Sequence, residues 1–214
     1  MKINKNYLAQ MALIVTTFIW GCTFTIVKES LVNCPPYAFA AWRFTIAAFG
    51  CLFFLDWKNI KFKKHEIIGG LICGIFLFIG YAFQNFGLLY TSPTKSAFIT
   101  GTSIIMVPIL LIIFQLQKIR MKIWIVCIMA IFGTYLLLNP QNQNINYGDI
   151  LTFGCALGFA FHIIVQNHYT RKSRTMFLFF PQLVIVAVLS FMFNYIYDIQ
   201  PTIWSNQLLY SLLI

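Results

Sequence analysis

Acidic residues are scarce in this chain: Asp and Glu number five among 214 residues, and all charged residues together make up 9%. Soluble domains average about 25% charged residues. A water-facing globule of this size has nowhere to put a 60% hydrophobic composition, whereas a bilayer accepts it. The sequence is therefore read as an integral membrane protein. Of the five acids, Asp56 and Glu66 fall at cytoplasmic loop edges and Glu29, Asp149 and Asp198 fall outside. No carboxylate is left within the membrane as a proton relay, which argues against an ion pump. A disulfide framework is excluded on similar grounds. Cys22, Cys51, Cys73, Cys127 and Cys155 lie in apolar runs, and Cys34 has no loop partner.

Soluble chemistry leaves no signature either. "HEIIGG" lacks the second histidine of a zinc-protease helix, no glycine loop cradles a phosphate, and no Ser/His/Asp or Cys/His set has catalytic spacing. No metal or cofactor is expected, and no enzymatic activity. The net charge of +10 raises the question of nucleic acid, and the placement of the charges answers it.

A helix needs about 20 mostly apolar residues to cross the hydrocarbon core. That rule gives seven spans, near 8–27, 37–55, 66–89, 96–116, 121–138, 148–168 and 176–196, with an eighth starting near Asn206. Lys2 and Lys5 precede the first span. Lys58, Lys61, Lys63 and Lys64, then Lys118, Arg120 and Lys122, then Arg171, Lys172 and Arg174 occupy alternate loops on the same side. The other side holds only Lys28 and Lys95. The positive-inside rule makes the lysine- and arginine-rich side cytoplasmic, with the amino terminus there too. The charge is thus a topology signal and a lipid-headgroup contact, and no nucleic-acid partner is expected. The run before Cys22 loosely resembles a lipoprotein signal, but Trp20 fits such a site poorly and the apolar stretch continues through Val27.

Polar residues within the spans are the candidates for function, because such groups are costly in lipid and face the bundle interior. Arg43 lies about 9 Å below the outer surface at 1.5 Å per residue. Gln84 and Asn85 reach a similar depth, and Ser96, Thr100, Thr102 and Ser103 line the outer half of the fourth span. On the inner half, His162 and Gln166 are four residues apart and share a helix face, and Gln182 lies at comparable depth. Arg43 has three readings: pairing with Glu29, contact with a substrate, or snorkelling to headgroups. His162 is read as an interhelical hydrogen-bonder or a ligand-facing group. Gly70-x-x-x-Gly74 and Gly154-x-x-x-Gly158 allow close helix packing and are compatible with a homodimer. Pro108 is expected to kink the fourth span and Pro181 the seventh.

Several segments, taken together, resemble the EamA-type transporters of the drug/metabolite transporter superfamily. "IWGCTFTIVKE" is similar to the family's first span, "PYAFAAWRF" to its second, "QNFGLLYTSPTKSAFITGTSIIMVPIL" to its third and fourth, and "YGDILTFGCALGFAFHIIVQNHYTR" to the opening of its second half. The resemblance implies an all-α polytopic membrane bundle of ten spans in two inverted five-helix repeats, with both termini cytoplasmic and a central path for small metabolites. On that pattern residues 1–140 form the first repeat and 141–214 a partial second one. Arg43 and Gln182 then occupy equivalent positions.

The expected activity is secondary transport, most simply export of amino acids or related small polar metabolites across a bacterial inner membrane by alternating access. Trp20, Arg43, Gln84, Asn85, Ser96, Thr100, His162, Gln166 and Gln182 would face the path. Glu29, Pro108, Gly70, Gly74, Gly154 and Gly158 would be structural. The alternative is a truncated, non-transporting or partner-binding membrane protein, because the sequence stops within the eighth span. A seven-helix photosensor is disfavoured by the cytoplasmic amino terminus and by the lack of a lysine in span seven.

Overall fold

The structure is a computed structural model describing residues 5–138, 144–197 and 200–213. Lys2, Asp198 and the first part of the polar loop at 139–149 lie outside these residues. The apolar runs of the described residues are helical, as they must be where water cannot satisfy the backbone. The helices are α1 (Lys5–Ser30), α2 (Pro36–Leu52), α3 (Lys64–Tyr90), α4 (Pro93–Gly101), α5 (Ser103–Ile113), α6 (Met121–Leu138), α7 (Tyr147–Thr170), α8 (Thr175–Tyr197) and α9 (Asn206–Leu213), with a single 3₁₀ turn at Trp57–Asn59. They alternate in direction. The end of the bundle where α1 begins is termed proximal here and the end where it finishes distal.

Among the described residues five helical segments are long and apolar enough to span a bilayer: α1 over Tyr7–Ser30, α3, the α4–α5 unit over Pro93–Ile113, α7 and α8. At 17 residues, α2 covers about 25 Å. The helix starts are written in the local sequence. Pro36 sits in the first turn of α2, where its missing N–H would be unsatisfied anyway. Ser92 caps α4 by accepting from the Lys95 N–H at 3.2 Å, with Pro93 following. Asn146 and Asp149 bond each other's backbone N–H at 3.0 Å in a reciprocal cap on α7.

Span four departs from expectation in where it breaks. The helix is interrupted at Thr102, between α4 and α5, and Pro108 lies buried within α5. Thr102 Oγ1 donates to the Ile99 carbonyl at 2.6 Å, and the Thr102 N–H reaches the same carbonyl at 3.0 Å, which tightens that turn to 3₁₀ geometry. At the end of α5, Gln115 adopts φ 53°. The Leu116 N–H bonds the Leu111 carbonyl and the Gln115 N–H the Ile112 carbonyl. This is a left-handed stop with glutamine where glycine is usual.

The tightest joint is between α3 and α7. A side chain on Gly80 would meet the Phe159 ring at 2.5 Å, and one on Gly158 would meet the Gly80 backbone N at 3.0 Å. One and two turns further along, Gly87 faces Thr152 and Gly148, and Gly154 faces the Phe83 ring. Gly70 and Gly74 press instead on α8, against Leu178, Pro181 and Gln182. Helix α8 fills the space between α2 and α3. Helix α1 is attached differently. Phe24 and Val27 in its distal third, and Leu31 just beyond it, are buried with Phe39, Leu88 and Leu208, while Leu8, Met11, Ile14, Val15 and Phe18 along its proximal part are exposed.

Candidate functional site

Glu66, read as a loop-edge acid, and Asp149, read as lying outside, are buried members of ion pairs, which the sequence did not reveal. Glu66 is fully buried at the proximal end. Arg174, 108 residues away, donates to it from Nε and Nη2 at 2.9 Å each, and from its backbone N at 3.2 Å. Arg174 also binds the carbonyls of Asn59 and Lys61 and lies 3.5 Å from the centre of the Phe177 ring. The Glu66 carboxylate raises the Arg174 guanidinium further above its ordinary pKa. At the distal end Asp149 accepts from Lys95 Nζ at 2.5 Å and from Thr91 Oγ1 at 2.6 Å. A buried carboxylate without these donors would be strongly penalised. Both pairs hold the ends of α3 and α7 to their neighbours.

Arg43 is half-buried, with its guanidinium carbon 5.7 Å from the centre of the Tyr81 ring. It does not pair with Glu29, whose carboxylate accepts from Gln207 at 3.2 Å. Tyr81 packs edge-on to Phe44 at 4.9 Å and to Phe159 at 5.2 Å. Trp20 in turn meets Phe159 at 6.2 Å and Phe24 at 6.1 Å. One wall, contributed by α1, α2, α3 and α7, therefore brings Trp20 and Arg43 onto a shared aromatic surface. Tyr81 and Phe159 were missed in the sequence. The available signal was that Tyr81 precedes Gln84 by three residues and so shares its helix face.

Gln84 and Asn85 are 4% and 2% exposed. Asn85 Nδ2 donates to the Pro36 carbonyl at 3.1 Å and so ties α3 to the start of α2. Gln84 Nε2 has no partner among the described residues. Ser96 and Thr100 face α7, with Ser96 Oγ 3.5 Å from Thr152 Oγ1 and Thr100 Oγ1 3.7 Å from Cys155 Sγ. They are thus part of the α4–α7 contact. Further toward the proximal end, the His162 imidazole sits beside the Gln182 amide. His162 Nε2, Gln166 Oε1, Gln182 Oε1, Ser190 Oγ and Asn194 Oδ1 are buried without a hydrogen-bond partner among the described residues. Gln182, Ser190 and Asn194 fall on multiples of four residues along α8 and so form a stripe. A separate cavity of about 480 Å³, lined by Tyr37, Phe78, Phe83, Tyr147 and Phe193 among others, holds none of these polar groups.

Among the described residues no three metal-ligating side chains come together. The arrangement presents a guanidinium beside an aromatic wall, and amide, hydroxyl and imidazole groups with open hydrogen-bonding capacity among the described residues.

The EamA-like transporter family model matches residues 8–139. A relative from Archaeoglobus fulgidus, described as an uncharacterized transporter, is 37% identical over 187 residues, covering 87% of this chain and 58% of its own length. The uncharacterized transporter YoaV of Bacillus subtilis is 20% identical over 95% of this chain and 72% of its own. The S-adenosylmethionine uptake transporter of Rickettsia bellii is 24% identical over 66% of this chain and 49% of its own. No solved structure matches. The chain thus spans little more than half the length of the Archaeoglobus relative and about half that of the Rickettsia protein. The apolar helices, the polar interior and the family match agree: this chain is a multi-pass membrane protein and belongs to the EamA-like transporter family.

Proposed function

We propose that this chain works in secondary transport, exporting small polar metabolites such as amino acids by alternating access across a bacterial inner membrane. It carries out no covalent chemistry. The proximal end faces the cytoplasm, because the loops there collect the lysines and arginines. Residues 1–140 form one five-helix repeat and 141–214 part of an inverted second one. Arg43 is the eighth residue of α2 and Gln182 the eighth of α8, and those two helices pack directly on one another, as the central pair of an inverted repeat would. The solute path runs past Trp20, Arg43, Gln84, His162, Gln166 and Gln182. Asn85, Ser96 and Thr100 position its walls.

The observation that carries this reading is the set of buried polar atoms without protein partners. Polar groups unsatisfied in a bilayer interior are expensive, and a static bundle gains by replacing them with apolar residues. They persist where a polar solute or water binds in turn. The Rickettsia relative is named for uptake, so direction is part of the test. The chain is reconstituted in liposomes and the flux of labelled amino acids is followed outward and inward. Faster release of at least one amino acid than from empty liposomes supports the proposal. No flux of any amino acid or related polar metabolite in either direction overturns it.

A further inference from the structure

Lys28 lies near the distal end of α1, where a lysine would ordinarily snorkel to lipid headgroups. It instead turns inward. Its ammonium donates to the Leu88 carbonyl at 2.7 Å and the Thr91 carbonyl at 2.6 Å, at the C-terminal end of α3. These are carbonyls that a helix end leaves without intrahelical donors, at the negative pole of the helix dipole. Thr91 is itself fixed from the other side, through Oγ1 to Asp149, which also holds Lys95. The lysine therefore grips a part of the molecule that cannot yield, the α3–α7 unit.

The apolar contact around it is small. Val27 of α1 and Leu31 just after it meet Leu88 of α3 in a cluster closed by Phe24, Phe39 and Leu208. Past that cluster toward the proximal end, α1 is exposed from Leu8 to Trp20. A side chain at Gly21 would meet nothing within 4 Å. The polar attachment of α1 to α3 thus sits entirely at the distal end and rests on one side chain.

We propose that Lys28 is the latch of the distal gate. While its ammonium holds the two α3 carbonyls, α1 stays against the α3–α7 unit and seals the path at that end. When both bonds release, α1 separates and the gate opens. The inference rests on the alternating-access reading above, for which it names the closing contact.

The test is cysteine labelling in nanodiscs, where both faces are open to reagent, so neither membrane orientation nor flux enters the result. Val27, 4% exposed, is replaced by Cys, and maleimide modification is followed at that peptide by mass spectrometry, so that the native cysteines are resolved separately. With Lys28 intact, Val27→Cys is protected. Lys28→Met raises its labelling rate by about tenfold or more, the population change expected when charge-assisted hydrogen bonds are lost. Lys28→Arg, which keeps the charge and the donors, stays close to the protected rate. A merely structural lysine would lower the thermal midpoint in Lys28→Met and leave labelling below that midpoint unchanged, and this result overturns the latch. Rapid labelling with Lys28 intact overturns it as well. If Lys28→Met does not fold, Lys28→Gln, with a shorter neutral donor, must label at an intermediate rate; protection equal to that of Lys28 contradicts the proposal. Labelling that follows the latch in a chain showing no flux would leave the gate standing and remove the transport reading alone.

Discussion

The α3–α7 joint and the attachment of α1 are two answers to holding helices together in lipid. Between α3 and α7 the backbones touch through Gly80 and Gly158, and again through Gly87 and Gly148, and both ends are pinned by buried carboxylates. Between α1 and the α3–α7 unit there is a short apolar plug, the edge of Trp20 on the Phe159 ring and one lysine. Lipid tails are as apolar as leucine, so association within the bilayer comes from close packing and polar bonds rather than from hydrophobic burial. By that measure α3 and α7 form one body, and α1 is the element able to move against it.

The largest expected effect comes from breaking the proximal pin. Arg174→Leu takes the guanidinium away from the fully buried Glu66 and leaves it only backbone N–H donors. A buried carboxylate left without its charge partner is heavily penalised, so this substitution is expected to destabilise the chain most. The check is a fall in thermal midpoint in detergent with loss of monodisperse protein. Overpacking the seam comes next. Gly80→Leu forces atoms into the Phe159 ring and should cost about 1–3 kcal/mol by the same assay. Gly21→Leu on α1, where nothing lies within 4 Å, should shift stability by less than about 0.5 kcal/mol. If both glycines respond alike, the contrast between the two regions is wrong.

Two further substitutions separate stability from transport. Gln182→Leu should change the thermal midpoint little, since Gln182 Oε1 is buried without a hydrogen-bond partner among the described residues, yet flux in liposomes should be lost. Arg43→Ala should likewise keep the fold, because among the described residues Arg43 makes no ion pair and its guanidinium lies over the Tyr81 ring, while flux falls at least tenfold. Unchanged flux in Arg43→Ala with normal folding would remove that residue from the path.

The helices were legible in the sequence because a bilayer imposes their length: all seven expected spans coincide with helices, within a few residues at most ends. The start of α4 was placed three residues late, since Ser92 and Pro93 look like loop until their capping roles are seen. The partners of the charges were not legible. Glu66 and Arg174 are 108 residues apart and Lys28 and Leu88 are 60 apart, and nothing local says that they meet. Proximity along α1 and α2 pointed to Glu29 for Arg43, but Glu29 is taken by Gln207. The polar candidates themselves could be picked from residue type and depth, because their cost in lipid does not depend on who their neighbours are.

The claim that α1 moves while α3 and α7 do not is tested most directly by electron–electron distances between spin labels in the reconstituted chain. One pair joins exposed positions at opposite ends of the seam, Ile67 of α3 and Ile150 of α7; the other joins Leu8 of α1 to the same Ile150. Each pair spans roughly 30 Å or more along the helix axes, at 1.5 Å per residue. The account predicts a single narrow distance for Ile67–Ile150, unaffected by added amino acid, and a broad or two-peaked distribution for Leu8–Ile150 that shifts when the amino acid is present. Two equally narrow distributions, neither responding, would contradict it.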